Sequence, residues 1–380
     1  MAIFQCAVCR SSFPTAELIW CCRKCGGPLN VEDIPLLRRS DIVSDRASLW
    51  RYQKALIHQG PVAVSLGEGW TPLIRGSWRG VNVHWKSDFA SISGSFKDRG
   101  VSVMINHLLA NGVTKVAEDS SGNGGAAVAT YAAAAGLPCR IYVPAQTSPS
   151  KVTQIAATGA EVIRIAGSRQ AVADAAMADK SGYFYASHNW DPAFLDGIKT
   201  AGYEIWEQLG FDVPDAIVAP TGGGSNLLGC FRAFSGLREA GEVDRLPRLY
   251  GAQSESCQPM ALGFQAGAET YIEAESRPSI AEGIAVSHPI RSREVMAAAR
   301  ESGGGIYAVS EEAIGIAHAK LARSGLYVEP TTAAAGALLD RLIEQGTIRA
   351  GERVVVILTG SGLKAGELIA RMREGTLATR

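Results

Sequence analysis

From Val113 onward the sequence alternates short apolar runs with helical stretches, and glycine-rich loops stand between several of them. Runs of strand length occur at residues 140–144, 161–165 and 353–358, with helical periodicity beside each. This alternation predicts parallel strands that are covered by helices on both faces. We therefore predict an α/β fold with two lobes and parallel or mixed sheets. In such folds ligands bind at the carboxyl ends of the strands.

The same patterns give a domain organisation and two local predictions. We expect a small segment at residues 1–30, a large domain made of residues 31–100 and 189–380, and a small domain at residues 101–188. The alternating stretch Val81–Lys86 predicts an edge strand, and the apolar pattern from Phe194 to Leu209 predicts one continuous helix.

Composition excludes several classes of function. The 380 residues are 47% hydrophobic and carry 37 basic and 37 acidic side chains, which is typical of a globular protein of about two domains. Zero formal net charge argues against a surface for nucleic acid or anionic lipid. No apolar run approaches the roughly 20 residues that span a bilayer. Because the first residues also lack a secretory signal pattern, we expect a cytoplasmic protein.

Five of the eight cysteines lie in the first 25 residues. Cys6 and Cys9 form one C-x-x-C pair, and Cys22 and Cys25 form a second, with Cys21 beside it. Two such pairs are typical of a zinc ribbon, in which four thiolates hold one ion. Cys21 could replace Cys22, and unmetallated thiols, or a disulfide in an exported protein, are the alternatives. We predict structural zinc bound by Cys6, Cys9, Cys22 and Cys25.

Lys97 lies in the stretch SGSFKDRG at residues 93–100, ahead of a largely apolar helix that runs to Asn111. A lysine in this position is often a solvated helix cap. However, burial and the positive end of a helix dipole both disfavour an ammonium ion. An uncharged amine is a nucleophile that forms a Schiff base with a carbonyl. Lys97 is therefore a candidate catalytic residue.

Three later loops follow predicted strands and carry small polar residues. The loop SSGNGG at residues 120–125 opens a helix with hydroxyl, amide and backbone donors that suit a carboxylate or a phenolate-like oxygen. The loop PTGGGSN at residues 220–226 allows the backbone to close around a phosphate. The loop LTGSGLK at residues 358–364 places the hydroxyl of Thr359 where it can donate to a ring nitrogen.

A reactive lysine, a cradle for one phosphate and polar groups for a ring describe a pyridoxal phosphate site. A dinucleotide-binding oxidoreductase would also explain the sheet and the glycine loops, but the G-x-G-x-x-G turn is absent from them. A catalytically inactive binding protein with a zinc ribbon is a second alternative. Competent residues at every candidate position argue against it.

The chain resembles the fold type II, or tryptophan synthase beta-like, pyridoxal phosphate enzymes, and within them the threonine synthases and their close relatives. The resemblance covers the chain from Cys6 to Gly362 and depends on motifs in one order. These are the paired cysteines, GEGWTPL, SGSFKDRG, SSGNGG, TGGGSN, VEPTTA and LTGSGLK. It implies an enzyme of amino-acid metabolism, a lyase, that acts on a small amino acid as a homodimer.

The resemblance also implies a role for each matching residue. Lys97 would be the Schiff-base lysine, Asn123 would bind the phenolic oxygen of the cofactor, and Thr359 would face the ring nitrogen. The cofactor phosphate would be held by Gly222, Gly223, Gly224, Ser225 and Asn226. The substrate carboxylate would be bound by Ser120, Ser121 and Gly124. The implied reaction converts O-phospho-L-homoserine and water to L-threonine and phosphate.

One segment departs from the threonine synthase pattern S-x-N-P-[YF]-R. Phe194 stands where the pattern has its arginine, and Asp191 where it has an asparagine. Because a phosphate dianion prefers a bidentate arginine, we expect weaker handling of a phosphorylated substrate. His188, Lys199 or Arg291 could compensate for the missing arginine. The alternative is a related enzyme of β-elimination or β-replacement, similar to the serine and threonine dehydratases or to a phosphoserine-using, cysteate-synthase-like enzyme.

Overall fold

A computed structural model describes residues 2–374 and, for residues 149–151, the backbone only. The ends of the predicted domains at residues 1 and 375–380 therefore lie outside the described residues. The strands, numbered along the chain, are β1 Ile3–Cys6, β2 Ser12–Pro14, β3 Leu29–Glu32, β4 Leu73–Trp78, β5 Val81–Lys86, β6 Val116–Glu118, β7 Cys139–Pro144, β8 Glu161–Ile165, β9 Phe184–Tyr185, β10 Ala216–Pro220, β11 Arg248–Ser254, β12 Gly305–Val309 and β13 Arg353–Ile357.

The helices lie mostly between these strands, as the alternating pattern predicts. They are α1 Lys97–Ala110, α2 Asn123–Ala134, α3 Pro149–Ala157, α4 Arg169–Met177, α5 Pro192–Ile198, α6 Thr200–Gln208, α7 Ser225–Glu239, α8 Pro259–Gln265, α9 Ser292–Glu301, α10 Glu311–Arg323, α11 Pro330–Glu344 and α12 Gly366–Arg373. Short 3-10 helices occur at Arg39–Asp41, Leu49–Ala55, Asp88–Ala90, Glu282–Ile284 and Gly362–Ala365. None of the helices within residues 2–374 combines the length and apolar character needed to cross a membrane.

The chain forms two compact units, and the first contains the residues up to Trp70 together with Lys97–Thr200. Its N-terminal part is an antiparallel sheet with strand order β2-β1-β3. Its second sheet, in the order β8-β7-β6-β9, is parallel throughout. Helix α1 is buried along most of its length and packs against α2 and α5. The helix that begins at Lys97 therefore packs against the helix that begins at Asn123.

Glu68, within the GEGWTPL motif, is an anchor of this first unit. Its buried carboxylate accepts hydrogen bonds from Trp50 Nε1 at 2.6 Å and Tyr131 Oη at 3.0 Å, and from the hydroxyl of Ser102. The backbone N–H of Leu66 donates to the same carboxylate at 2.7 Å. One side chain thus joins the N-terminal segment to α1 and α2.

The second unit contains Thr71–Phe96 and the chain from Ala201 onward. Its sheet has the order β12-β11-β10-β13-β5-β4 and is parallel except for the antiparallel pair β4 and β5. The core lies between this sheet and α11, where buried valine, alanine and leucine side chains meet. The α/β class and the mixed and parallel sheets agree with the sequence prediction. The domain boundaries given above stay a prediction.

Val81–Lys86 is not an edge strand. It pairs in parallel with β13 on one side and antiparallel with β4 on the other, and Leu73–Trp78 is the strand at the edge. The error has a physical cause, because alternation reports which faces of a strand are buried and not how many neighbours the strand has.

The predicted helix from Phe194 to Leu209 is two helices, α5 and α6, separated at Lys199. The hydroxyl of Thr200 donates to the carbonyl of Gly197 at 2.7 Å, and Arg99 Nη1 lies 3.3 Å from the same hydroxyl. A side chain that bonds to the backbone competes with the helical ladder and favours a break. Apolar periodicity continues across this break, so the pattern alone did not reveal it.

Candidate active site

Lys97 is the first residue of α1 and is partly buried. Its Nζ lies 5.3 Å from the ring centroid of Phe194, which is a cation–π distance. Phe194 is only 1% exposed and fits against α1 because residue 100 is glycine. A Cβ at Gly100 would lie 2.4 Å from the Phe194 ring. The packing of α5 against α1 therefore fixes the surroundings of the lysine.

The loop after β6 and the first residues of α2 carry four of the predicted site residues. Ser120 is buried, whereas Ser121 and Asn123 are partly exposed. The hydroxyl of Ser120 accepts from the N–H of Gly122 at 3.3 Å. Residue 124 has to be glycine here, because a Cβ would lie 2.5 Å from Nδ1 of His188. The structure thus brings Ser120, Ser121, Asn123 and Gly124 into the same unit as Lys97, and α1 and α2, which begin at Lys97 and Asn123, pack together.

A buried carboxylate and a histidine, not predicted as a pair, adjoin this loop. Glu118 is fully buried at the end of β6 and accepts from the backbone N–H of His188 at 2.9 Å. Nδ1 of His188 lies 2.9 Å from the other carboxylate oxygen. Burial raises the pKa of Glu118 to about 7 and, together with the charge of Lys97, holds the pKa of His188 well below its usual value. A charged residue ending an apolar strand was the signal available in the sequence.

The three candidates for replacing the missing arginine have different surroundings. Lys199 forms a buried ion pair with Asp196, and that carboxylate also accepts the N–H of Ile57 at 2.7 Å. Arg291, in the second unit, pairs with Glu294 at 3.1 Å. His188 packs edge-on against the Phe194 ring, with centroids 5.8 Å apart. His188 shares this aromatic neighbour with Lys97.

Asp191 is the second residue that differs from the threonine synthase pattern, and its structural role accounts for its presence. It is the N-cap of α5, and its carboxylate accepts from the N–H of Ala193 at 2.9 Å. Pro192 follows at the first helical position, where its missing N–H costs nothing.

The predicted phosphate loop lies in the second unit, between β10 and α7. Gly224 is the N-cap of α7 and has a φ of 82°, a value that favours glycine. A Cβ at Gly222 would lie 2.9 Å from Cα of Ile284. Asn226 is 3% exposed, and its Oδ1 has no hydrogen-bond partner within the described part of the chain. A buried polar atom of this kind calls for a ligand or an ordered water.

Thr359, also in the second unit, follows β13 and is 3% exposed. Its hydroxyl lies 2.8 Å from that of Thr332, which accepts the N–H of Gly360 at 2.9 Å. The carbonyl of Thr359 accepts the N–H of Phe96 at 2.9 Å, and Lys97 is the next residue in the chain. Thr332, inside the VEPTTA motif, was not predicted as a partner.

The N-terminal cysteines form a compact group of donors. The sulfur atoms of Cys6, Cys9, Cys22 and Cys25 all lie within 4.8 Å of one another, and Cys21 is outside this group. Backbone N–H groups of Val8 and Lys24 point at the sulfurs of Cys6 and Cys22, each at 3.4 Å. Four sulfur donors at this spacing could hold a metal ion.

Comparison with known proteins identifies the class of protein to which this chain belongs. A family model described as pyridoxal-phosphate dependent enzyme matches residues 64–360, and the chain belongs to that family. The threonine synthase of Methanosarcina acetivorans is 34% identical over 372 residues, which cover 95% of this chain and 91% of the relative. The threonine synthase of Methanocaldococcus jannaschii is 32% identical over 389 residues, covering 97% and 95%. The similarity to threonine synthases that the motifs predicted is confirmed.

Solved structures agree on the fold. A threonine deaminase from T.th. has a TM-score of 0.65 at 27% identity, and the match covers 77% of this chain and 92% of the deaminase chain. An L-serine ammonia-lyase from Rhizomucor miehei has a TM-score of 0.69 at 23% identity, covering 80% and 97%. This second likeness supports the fold alone.

The residues present fit the cofactor of the family. The oxygen of Asn226 needs a partner, the glycines at 222 and 224 leave no room for side chains, and a helix start supplies open N–H groups suited to a phosphate. Lys97 supplies an amine at the start of another helix.

Proposed function

We propose that this protein is a threonine synthase that converts O-phospho-L-homoserine and water to L-threonine and phosphate. The observation that carries the proposal is the similarity to a threonine synthase over 95% of the chain. The candidate residues support it, because each motif position that the reaction needs, apart from Phe194 and Asp191, has a residue of suitable chemistry.

Pyridoxal phosphate, when bound, would withdraw electrons from the bonds at Cα of the substrate. Lys97 would bond the cofactor covalently and, once displaced by the amino group of the substrate, would take the Cα proton. Gly222, Gly223, Gly224, Ser225 and Asn226 would hold the cofactor phosphate.

The remaining candidates orient the reacting groups. The hydroxyl of Thr359 would donate to the ring nitrogen, and the amide of Asn123 to the phenolic oxygen. A neutral hydroxyl cannot hold the ring nitrogen protonated as a carboxylate does, which favours departure of a leaving group over transamination. Ser120, Ser121 and Gly124 would bind the substrate carboxylate through hydroxyl and backbone donors.

We further propose that Cys6, Cys9, Cys22 and Cys25 bind one structural zinc ion. Four sulfur atoms within 4.8 Å support this assignment, and tetrahedral thiolate sites are typical of zinc. We also propose that the protein is cytoplasmic and, as the resemblance implies, a homodimer.

A second function is favoured by one observation, the phenylalanine at position 194. Phe194 is enclosed by Gly100, His188 and Lys97 and offers no charge to a substrate phosphate. Serine and threonine carry no phosphate, so a β-eliminating or β-replacing enzyme acting on them would not need that charge, whereas Phe194 gives no such support to an enzyme acting on phosphoserine.

A side-by-side assay separates the two functions. Purified holoenzyme is supplied with O-phospho-L-homoserine, phosphoserine, serine and threonine, and the release of phosphate, keto acid and threonine is measured. Threonine and phosphate formed in equal amounts from phosphohomoserine, at the highest kcat/KM of the four, is the expected result. Keto acid formed mainly from serine or threonine would establish the second function instead.

A further inference from the structure

The pair Glu118 and His188 lies in the first unit beside Gly124, one of the candidate substrate-binding residues. The ring of His188 packs against the start of α2 at Gly124 and against Phe194, and Lys97 lies over that same Phe194 ring. About a tenth of the His188 side chain is exposed. The imidazole thus lies beside the start of α2 and shares the Phe194 ring with Lys97.

We propose that Glu118 and His188 form a proton-sharing pair in which Glu118 positions His188 and sets whether its Nε2 donates or accepts a hydrogen bond toward an oxyanion of the amino-acid substrate. The inference rests on the proposed function only in taking the ligand to be an amino acid. Two oxyanions share this chemistry, the α-carboxylate and a phosphate on the side chain.

The geometry determines which imidazole nitrogen of His188 binds Glu118 and which can bind a ligand. Nδ1 of His188 faces a Glu118 oxygen at 2.9 Å, and the other oxygen is fixed by the backbone N–H of His188. Because Nδ1 is hydrogen-bonded to Glu118, Nε2 is the nitrogen that can bind a ligand. When Glu118 carries a proton it donates to Nδ1, so the ring hydrogen lies on Nε2, which then donates. When Glu118 has lost its proton, Nδ1–H donates to the carboxylate and Nε2 presents a lone pair.

Burial places the changeover in the neutral range, because it raises the pKa of Glu118 to about 7. Other charged groups face the pair from neighbouring elements. Asp119, whose own pKa burial raises, accepts from Tyr185 Oη at 2.8 Å and lies 3.8 Å from Arg169 Nη2. Lys97 faces the pair from α1. The pair should thus donate to an oxyanion below about pH 7 and lose that ability above it.

Two variants separate the parts of this device. Glu118→Gln cannot lose a proton; its oxygen can accept the backbone N–H while its amide nitrogen donates to Nδ1, which holds Nε2 as a donor at every pH. His188→Asn keeps an amide nitrogen near the position of Nδ1, so it retains the bond to Glu118 and lacks Nε2. A purely structural role would be preserved in the asparagine variant.

The test measures the affinity of the holoenzyme for L-phosphoserine and for L-serine between about pH 6.5 and about pH 8.5, where the phosphate is mostly dianionic. Cofactor absorbance reports binding. In the wild type, affinity should fall about tenfold to a hundredfold across this range, as expected for the loss of one charge-assisted hydrogen bond. Glu118→Gln should keep the high affinity throughout, and His188→Asn should have the low affinity at both ends. Thermal unfolding of each variant checks that it folds.

The two ligands identify the oxyanion. A fall seen with phosphoserine alone assigns the pair to the phosphate, and a fall seen with both ligands assigns it to the carboxylate. ¹⁵N spectra of the histidine ring should show the hydrogen moving from Nε2 to Nδ1 with the same midpoint, which gives a second reading if an asparagine variant does not fold. A Glu118→Gln profile identical to that of the wild type, or an unmoved histidine hydrogen, would overturn the proposal. Failure to turn over phosphohomoserine would instead overturn the proposed function alone.

Discussion

At the scale of single residues, the lysine that the sequence singled out lies at the start of a buried helix, as predicted. Its environment was only partly foreseeable. The SGSFKDRG motif and the apolar run after it predicted α1, because helix periodicity is a local property of the chain. The Phe194 ring beside Lys97 depends on a contact between residues almost a hundred positions apart. No local pattern carries such a contact.

Replacing Lys97 by alanine should abolish covalent attachment of pyridoxal phosphate and reduce kcat/KM by several orders of magnitude, since nucleophile and base are lost together. Borohydride reduction of the wild-type holoenzyme followed by peptide mapping checks the assignment directly. The label should be on Lys97. A label on Lys86 or Lys199, which the structure places in ion pairs with Glu204 and Asp196, would contradict it.

Glu68→Gln should lower the free energy of unfolding by about 3–5 kcal/mol. The amide turns one acceptor into a donor that faces other donors, including Trp50 Nε1 or Tyr131 Oη. Glu344→Gln is the matched control, because Glu344 is 58% exposed in its pair with Arg79 and should cost about 0.5 kcal/mol or less. Equal losses for the two variants in urea unfolding would refute the anchoring role of Glu68.

At the scale of elements, helices and loops near glycines were easier to predict than strand order. The glycine-rich loops mark the starts of α2 and α7 because small residues permit the turn and leave backbone N–H groups open. By contrast, the pairing of β5 with both β13 and β4 is a matter of tertiary packing. The break between α5 and α6 likewise depends on Arg99 and Thr200, which are far apart in sequence.

The contact of α1 with α5 makes a prediction for one glycine. Gly100→Ala should destabilise the protein by about 1–3 kcal/mol, because its Cβ would lie 2.4 Å from the Phe194 ring. Gly315→Ala on α10 is the control: beyond the backbone of its own helix, no atom of residues 2–374 lies within 4 Å of its Cβ position, so the gain in helix propensity should stabilise by about 0.5–1 kcal/mol. Opposite signs of the two changes in chemical denaturation would support the packing; a stabilised Gly100→Ala would contradict it.

The cysteine cluster supports a prediction for the N-terminal sheet. Cys22→Ser should lose most of the bound zinc and lower the thermal midpoint, because metal binding and folding of this segment are coupled. Cys21→Ser should retain about one zinc per chain, since Cys21 lies outside the group of four sulfur donors. Metal analysis of protein purified without chelator measures the zinc content of each variant and thereby tests the ligand set. The ligand set would be wrong if the two variants behaved in the reverse way.

At the scale of the whole molecule, class and family were within reach of the sequence, while substrate preference was not. The motifs occur in one order along the chain, and the sequences of many other folds would not show that order. The family match over residues 64–360 agrees with it. Substrate choice depends instead on proton transfer and packing contacts among a few side chains. Phe194, Glu118 and His188 could be seen in the sequence, but their mutual contacts could not.

Cofactor binding should stabilise the folded chain by mass action, because a ligand that binds only the native state adds about 2.7 kcal/mol at one hundred times its Kd. Asn226→Asp offers a selective test of the predicted phosphate loop. The buried Oδ1 of Asn226, for which residues 2–374 offer no hydrogen-bond partner, becomes part of a carboxylate, which would repel the phosphate of the cofactor.

In thermal unfolding, pyridoxal phosphate should raise the midpoint of the wild type far more than that of Asn226→Asp. Pyridoxal, which lacks the phosphate, should give the same small increase in both proteins. This comparison separates loss of the phosphate contact from a general loss of stability, because the latter would lower both midpoints without changing the response to ligand. If pyridoxal phosphate protected the variant as well as the wild type, Asn226 would not face the phosphate, and the role of the TGGGSN loop would have to be reassigned.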